Sequence, residues 1–126
     1  QYRAGMAWFR QAKKADYDQS IAGSSIATFQ DFAALHPKDE RIPQTQELIA
    51  QMRTEQARGA YATGRYYERK KRYQGAVVYY NESLLKDPNS PYAEAARRKL
   101  EELAPLAEAQ RQRVTAEETQ FRANTR

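Results

Sequence analysis

The chain has 126 residues, enough for one domain with a modest core and too few to fill a second independent one. It has no cysteine, which excludes disulfides, thiol nucleophiles and thiolate metal sites while leaving the redox compartment open. Twenty-one basic residues against sixteen acidic give a formal charge of +5, a moderate excess short of the dense basic stripe that marks a nucleic-acid binder.

Glycine and proline number five each, and Ala, Gln, Glu, Arg and Lys dominate, so intrinsic propensity favours an all-α chain. Residues 2–14 place Ala4, Ala7, Trp8 and Ala12 at helical spacing and predict a first helix. "DYDQS" follows, with Asp16 and Asp18 as turn and N-cap residues for the next segment. From Gln19 to Leu35 the set Ile21, Ala22, Ile26, Phe29, Phe32 and Ala33 recurs at three- and four-residue steps, and His36-Pro37 ends that helix. After the polar connection "KDERIP", an apolar stripe from Leu48 and Ile49 to Gly64 and Tyr67 fits one long helix or two with a bend near Gly59. A turn at about residues 71–73 leads to a helix over 74–86, ended by "DPNSP", and another helix begins near Tyr92. Pro105 is expected to break that helix or to open a new one at its first turn. The segment 114–126 reads as a polar, frayed tail.

Catalytic chemistry finds little footing. The single histidine, His36, precedes a helix-ending proline and has no second histidine or cysteine with which to build a triad or zinc site. Adjacent carboxylates such as Glu101-Glu102 and Glu117-Glu118 point about 100° apart on a helix and read as surface charge. Neither a phosphate-binding glycine loop nor a metal-ligand spacing is present, so no catalytic residue, metal or cofactor is expected. No apolar run approaches the ~18 residues of a membrane span, and no signal-peptide pattern opens the chain. Because Gln1 already lies inside a helical pattern, an N-terminal part is expected to precede it.

The densest stretch, "GRYYERKKRYQGAVVYY", holds a repeat. In a 34-residue frame starting at residue 57, Gly64 takes position 8, Tyr67 position 11, Ala76 position 20, Tyr80 position 24, Ser83 position 27 and Pro88 position 32. Small residues at 8 and 20 let two antiparallel helices approach, large aromatics at 11 and 24 fill the space beside them, and proline ends the second helix. That pattern resembles the tetratricopeptide (TPR) repeat, with Ala60 and Thr63 in place of its usual Trp and Leu. A looser copy upstream uses Gly5, Trp8, Ser25, Phe29, Phe32 and Pro37, with eight extra residues in its hairpin loop. Pro37 and Pro88 lie 51 positions apart, one repeat plus an additional helical stretch at about 43–58. The expected organisation is a helical domain over 1–113, with hairpins at about 2–37 and 57–88, a connecting helix at about 43–58 and a C-terminal helix at about 92–113.

From about Tyr2 to Leu103 the chain resembles the C-terminal half of the BamD family, TPR lipoproteins of the outer-membrane β-barrel assembly machinery. The resemblance rests on "YRAGMAWF", "DYDQS" before an Ala/Phe helix, "FQDFAALHP", "YYERKKRYQGAVVYYNESLLKDP" and "SPYAEAARRKL", in that order. It implies a non-enzymatic scaffold at the periplasmic face of the outer membrane. It also implies a lipid anchor on a preceding N-terminal half, and partners in the POTRA domains of a BamA-type protein and in other barrel-assembly lipoproteins. One departure is Tyr79, where the family often carries Arg, so a contact made by that Arg does not transfer.

Two readings remain for the charged and aromatic positions. Positions 2, 5, 9, 12 and 13 of a TPR line its concave surface, which here are Arg58, Tyr61, Arg65, Glu68 and Arg69. Three arginines around a tyrosine suit a clamp for a partner's carboxylates, and the alternative is an ordinary exposed basic face. The run Arg69 to Arg72 fits a helix end favoured by the helix dipole, with Glu68 paired to Arg72 at i,i+4; a partner, lipid-headgroup or nucleic-acid contact is less favoured. Tyr67 and Tyr80 are expected in the core, Tyr73 at the turn, and Tyr66 and Tyr79 against a neighbouring helix or partner. A general TPR adaptor unrelated to barrel assembly is the competing functional expectation.

Overall fold

The structure, a computed structural model, describes residues 1–14 and 19–125. It is all-helical: α1 (Tyr2–Lys14), α2 (Gln19–Leu35), α3 (Ile42–Arg69), α4 (Tyr73–Lys86) and α5 (Ala93–Asn124), with no strand among the described residues. The turn and cap expected at Asp16 and Asp18, and the side chain of Ala12, lie outside the described residues. The chain forms two compact units, Gln1–Gln56 and Ala57–Arg126. Of the two options for the central segment, α3 is one uninterrupted helix running through that boundary.

In the first unit α1 packs on α2 through Gly5. A Cβ on Gly5 would fall 2.6 Å from the Phe29 ring, so only glycine lets the ring sit flush on the helix. Ser25 Oγ donates to the Gly5 carbonyl at 2.9 Å and closes the same contact. Phe29, Ile26, Ile49 and Met52 form the buried core, flanked by Tyr2, Met6, Phe9 and Leu48. The buried face of α1 is thus centred on Gly5, Phe9 and Tyr2 rather than on the expected Ala4, Ala7 and Trp8. Trp8 is 40% exposed and makes no part of this core. The sequence spacing counted alanines as apolar markers, whereas the seat of Phe29 selects the side of the helix that carries no side chain. Past Pro37, Arg41 forks onto both Asp39 carboxylate oxygens, at 3.0 and 3.1 Å, and lays its guanidinium 4.5 Å from the Tyr2 ring centroid.

The second unit repeats the same device. Gly64 of α3 faces Tyr80 of α4, where an added Cβ would meet the ring at 2.8 Å. Ser83 Oγ donates to the Ala57 carbonyl at 2.8 Å. Ala76, Tyr80, Ala96 and Leu103 are the buried core, with Tyr61, Tyr67 and Tyr73 packed around them. Tyr80 is therefore buried as expected, while Tyr67 is half-buried and stacks on Tyr79 with ring centroids 5.4 Å apart. Pro88 follows α4 by two residues, as Pro37 follows α2.

Two expectations for the C-terminal part differ from the structure. Pro105 neither breaks α5 nor starts a helix, although a helix-interior proline costs about 3 kcal/mol. Buried Leu103 on one side of it and Gln110 on the other both attach to the α3–α4 hairpin, which holds the backbone helical across the proline. The segment taken as a frayed tail is helical through Asn124. Polarity misled there, because Ala, Glu, Gln and Arg are strong helix formers even when nothing packs on them.

Candidate partner-binding face

The five residues expected to line one groove separate into two groups. Arg58, Arg65 and Arg69 are exposed and share a stripe of α3, since steps of seven and four residues return to nearly the same helical azimuth. Tyr61 and Glu68 lie on the flank of that stripe and turn into the core of the second unit. The Tyr61 ring sits 5.3 Å from Tyr80 and 5.4 Å from Tyr92.

Glu68 accepts hydrogen bonds from the Tyr80 hydroxyl at 2.6 Å and from Lys99 Nζ at 3.0 Å. The expected Glu68–Arg72 pair is replaced by this three-helix knot, because the carboxylate reaches two donors that are themselves fixed by packing. Partial burial alone would raise the Glu68 carboxyl, but the hydrogen bonds from Tyr80 and Lys99 outweigh it and hold it below the usual carboxylate range. Burial, then the bond to Glu68, pushes the Tyr80 hydroxyl far up; the bond to Glu68 likewise raises Lys99. The Arg65 charge helps hold Glu68 down and partly offsets the rise at Tyr80. The acidic residue expected to line the groove thus acts as a structural hub, and the exposed stripe of Arg58, Arg65 and Arg69 that remains is cationic.

The basic run lies at the α3–α4 turn. Lys71 N–H donates to the Glu68 carbonyl and Arg72 N–H to the Tyr67 carbonyl, both at 2.9 Å, with Lys71 in the left-handed region at φ 57°. This is a Schellman C-cap with lysine where glycine is usual. Helix α4 has no side-chain cap of its own. Gln110 of α5 supplies one: its Oε1 accepts from Tyr73 N–H at 2.8 Å, and its Nε2 donates to the Lys71 carbonyl at 2.6 Å. Sequence reasoning missed Lys99 and Gln110, and no local pattern points to either, since each acts on residues more than thirty positions away.

His36 lies at the surface with its ring 5.5 Å from Phe32 and no second histidine near it. Among the described residues no group of three His, Asp or Glu side chains could hold a metal ion, and no helix is long and apolar enough to cross a membrane. Compared with known proteins, the chain matches no family model and no curated protein.

Proposed function

We propose that the chain is a non-enzymatic protein-interaction scaffold built from TPR-like helical hairpins. Within that class we propose a BamD-like role: supporting insertion of β-barrel proteins into the outer membrane from its periplasmic side, by binding the POTRA region of a BamA-type protein. Other barrel-assembly lipoproteins are further partners in this reading, and a lipid anchor on a preceding segment makes the membrane contact. The observation that carries it is the recurrence of one packing device, Gly5 under Phe29 and Gly64 under Tyr80, at matching places of two sequence repeats. Repeated hairpins of this kind leave helix faces free for partners. The stripe Arg58, Arg65 and Arg69 supplies guanidinium groups suited to a partner's carboxylates.

The test is a titration of the chain against the POTRA region of its own organism's barrel-assembly protein, with random DNA in parallel, at low and moderate salt. Saturable POTRA binding that survives moderate salt, weakened in a double variant Arg65→Gln/Arg69→Glu that keeps its melting temperature, is the expected result. Glutamine rather than glutamate at position 65 avoids a second carboxylate beside Glu68. A folded chain that ignores POTRA domains would shift the reading to a general TPR adaptor. DNA affinity that alone dominates and falls steeply with salt would point to nucleic acid.

A further inference from the structure

Where α5 passes the α3–α4 turn, the second unit has an open cleft of about 490 Å³ that the scaffold reading does not use. Its apolar lining comes from the Tyr67 ring, held by its stack on Tyr79, together with Gly75 and Val114. Arg72 and Arg113 also line it, and Glu117 lies one helical turn beyond Arg113. Gly75 is close to Tyr67, where an added Cβ would be 3.1 Å from the ring, so this wall is already tight and shaped. Val114 is 49% exposed, which leaves an aliphatic surface in the cleft facing solvent. Neither Arg72 nor Arg113 has an ion-pair partner among the described residues, and Arg72 closes the four-cation run that begins at Arg69.

We propose that this cleft docks a short acidic segment of a partner protein that carries one large apolar side chain. The apolar side chain sits against Tyr67, Gly75 and Val114, and flanking carboxylates take Arg72 and Arg113 in bidentate geometry. Charge complementarity selects this occupant: the lining carries two guanidinium groups, neither ion-paired among the described residues, against one carboxylate, beside an apolar surface. Such a pairing rewards a segment with both features, because the apolar contact excludes water from the ion pairs. The inference rests on the chain being a protein-binding scaffold and adds a second docking place distinct from the Arg58–Arg69 stripe.

The probe is a fluorescein-labelled peptide of about ten residues, aspartate and glutamate flanking one phenylalanine, followed by fluorescence anisotropy; this length spans one cleft in extended form. Control peptides replace the phenylalanine by serine or the acids by lysine. Saturable binding of the acidic aromatic peptide is expected, weakened roughly tenfold or more by Arg72→Glu/Arg113→Glu, as for loss of guanidinium–carboxylate pairs. Val114→Asp, on a stretch of α5 that faces solvent, should weaken it as well without touching the fold. Lys38→Gln, an exposed cation in the first unit, should leave it unchanged. Equal affinity for the serine peptide would reduce the cleft to a charged surface and overturn the proposal. Self-association abolished by the same substitutions, with no peptide binding, would assign the cleft to a second copy and overturn it too. POTRA binding is measured on the same variants: if it persists while the peptide fails, the cleft falls and the scaffold reading stands. Peptide binding without POTRA binding overturns only the assembly role.

Discussion

Gly64 and Tyr80 approach so closely that a Cβ on residue 64 would lie 2.8 Å from the ring. The ring has no room to yield, because its hydroxyl is tied to Glu68 and its face meets Tyr61. Gly64→Ala should therefore destabilise the chain by about 1–3 kcal/mol, overpacking outweighing the ~1 kcal/mol that alanine gains in helix propensity. Gly23→Ala tests the opposite balance: its added Cβ would meet only Gln56 Nε2 at 3.9 Å, so the propensity gain of about 0.5–1 kcal/mol should appear as added stability. Urea denaturation of the two variants beside the parent separates these signs. A stabilising Gly64→Ala would mean that the two helices can part without loss.

The knot around Glu68 predicts how stability depends on pH. The Glu68 carboxyl is held below its ordinary value of 4.5, so its contribution is complete above that pH and is lost as pH falls through the lower folded value. Hydrogen bonds from Arg41 hold Asp39 down to about 2 from 3.8, which extends the acid limb to that range. At the other end Tyr80 and Lys99 are both raised, from 10.0 and 10.5, so stability should begin to fall as pH rises past those values. Stability measured by urea at a series of pH values should be flat between these limits. Glu68→Gln should lower the plateau by about 1.5–3 kcal/mol, the range for a hydrogen bond to a charged group, and flatten the acid limb. An unchanged acid limb in that variant would place the titrating groups elsewhere.

Lys71 sits at φ 57°, a left-handed conformation that disfavours a residue with a Cβ. Glycine at the same C-cap position relieves the strain but gains unfolded-state entropy, and the net expectation for Lys71→Gly is stabilisation by about 0.5–1 kcal/mol. Lys71→Ala keeps the Cβ and should give no such gain, which separates backbone strain from loss of the charge. Equal melting temperatures for both variants would contradict a strained cap.

The extent to which sequence exposed this structure follows from the range of each interaction. Helices α1 to α4 were legible to within a few residues, since periodic apolar positions and the prolines at 37 and 88 act within a turn or two. The pairing of Gly64 with Tyr80 was legible through the repeat frame, because a repeat encodes a tertiary contact as a fixed spacing. Trp8 was misplaced for a related reason: the looser copy matched in residue type at that position, but the helix turned a different side to Phe29. Glu68 was assigned to a surface by its frame position, and its real partners lie on two other helices. The cap on α4 was invisible, since Gln110 is one of many glutamines and only folding brings it to the turn.

That cap carries the last prediction. Tyr73 N–H opens α4, where helix geometry offers no backbone acceptor, and Arg72 ahead of it provides no side-chain bond. Gln110 satisfies this donor and the Lys71 carbonyl with the two ends of one amide, so a single side chain ties α5 to the turn it crosses. Gln110→Ala should remove both bonds and destabilise the second unit by about 1–3 kcal/mol, near the sum of two ordinary hydrogen bonds. Gln110→Glu keeps an acceptor for Tyr73 but replaces the donor to Lys71 with a second acceptor, and should recover only part of the loss. Amide hydrogen exchange gives the local readout: Tyr73 should exchange much faster in Gln110→Ala and stay largely protected in Gln110→Glu. If Tyr73 exchanges equally in the parent and in Gln110→Ala, the amide is held by something other than α5, and the continuity of α5 past Pro105 needs a different tether.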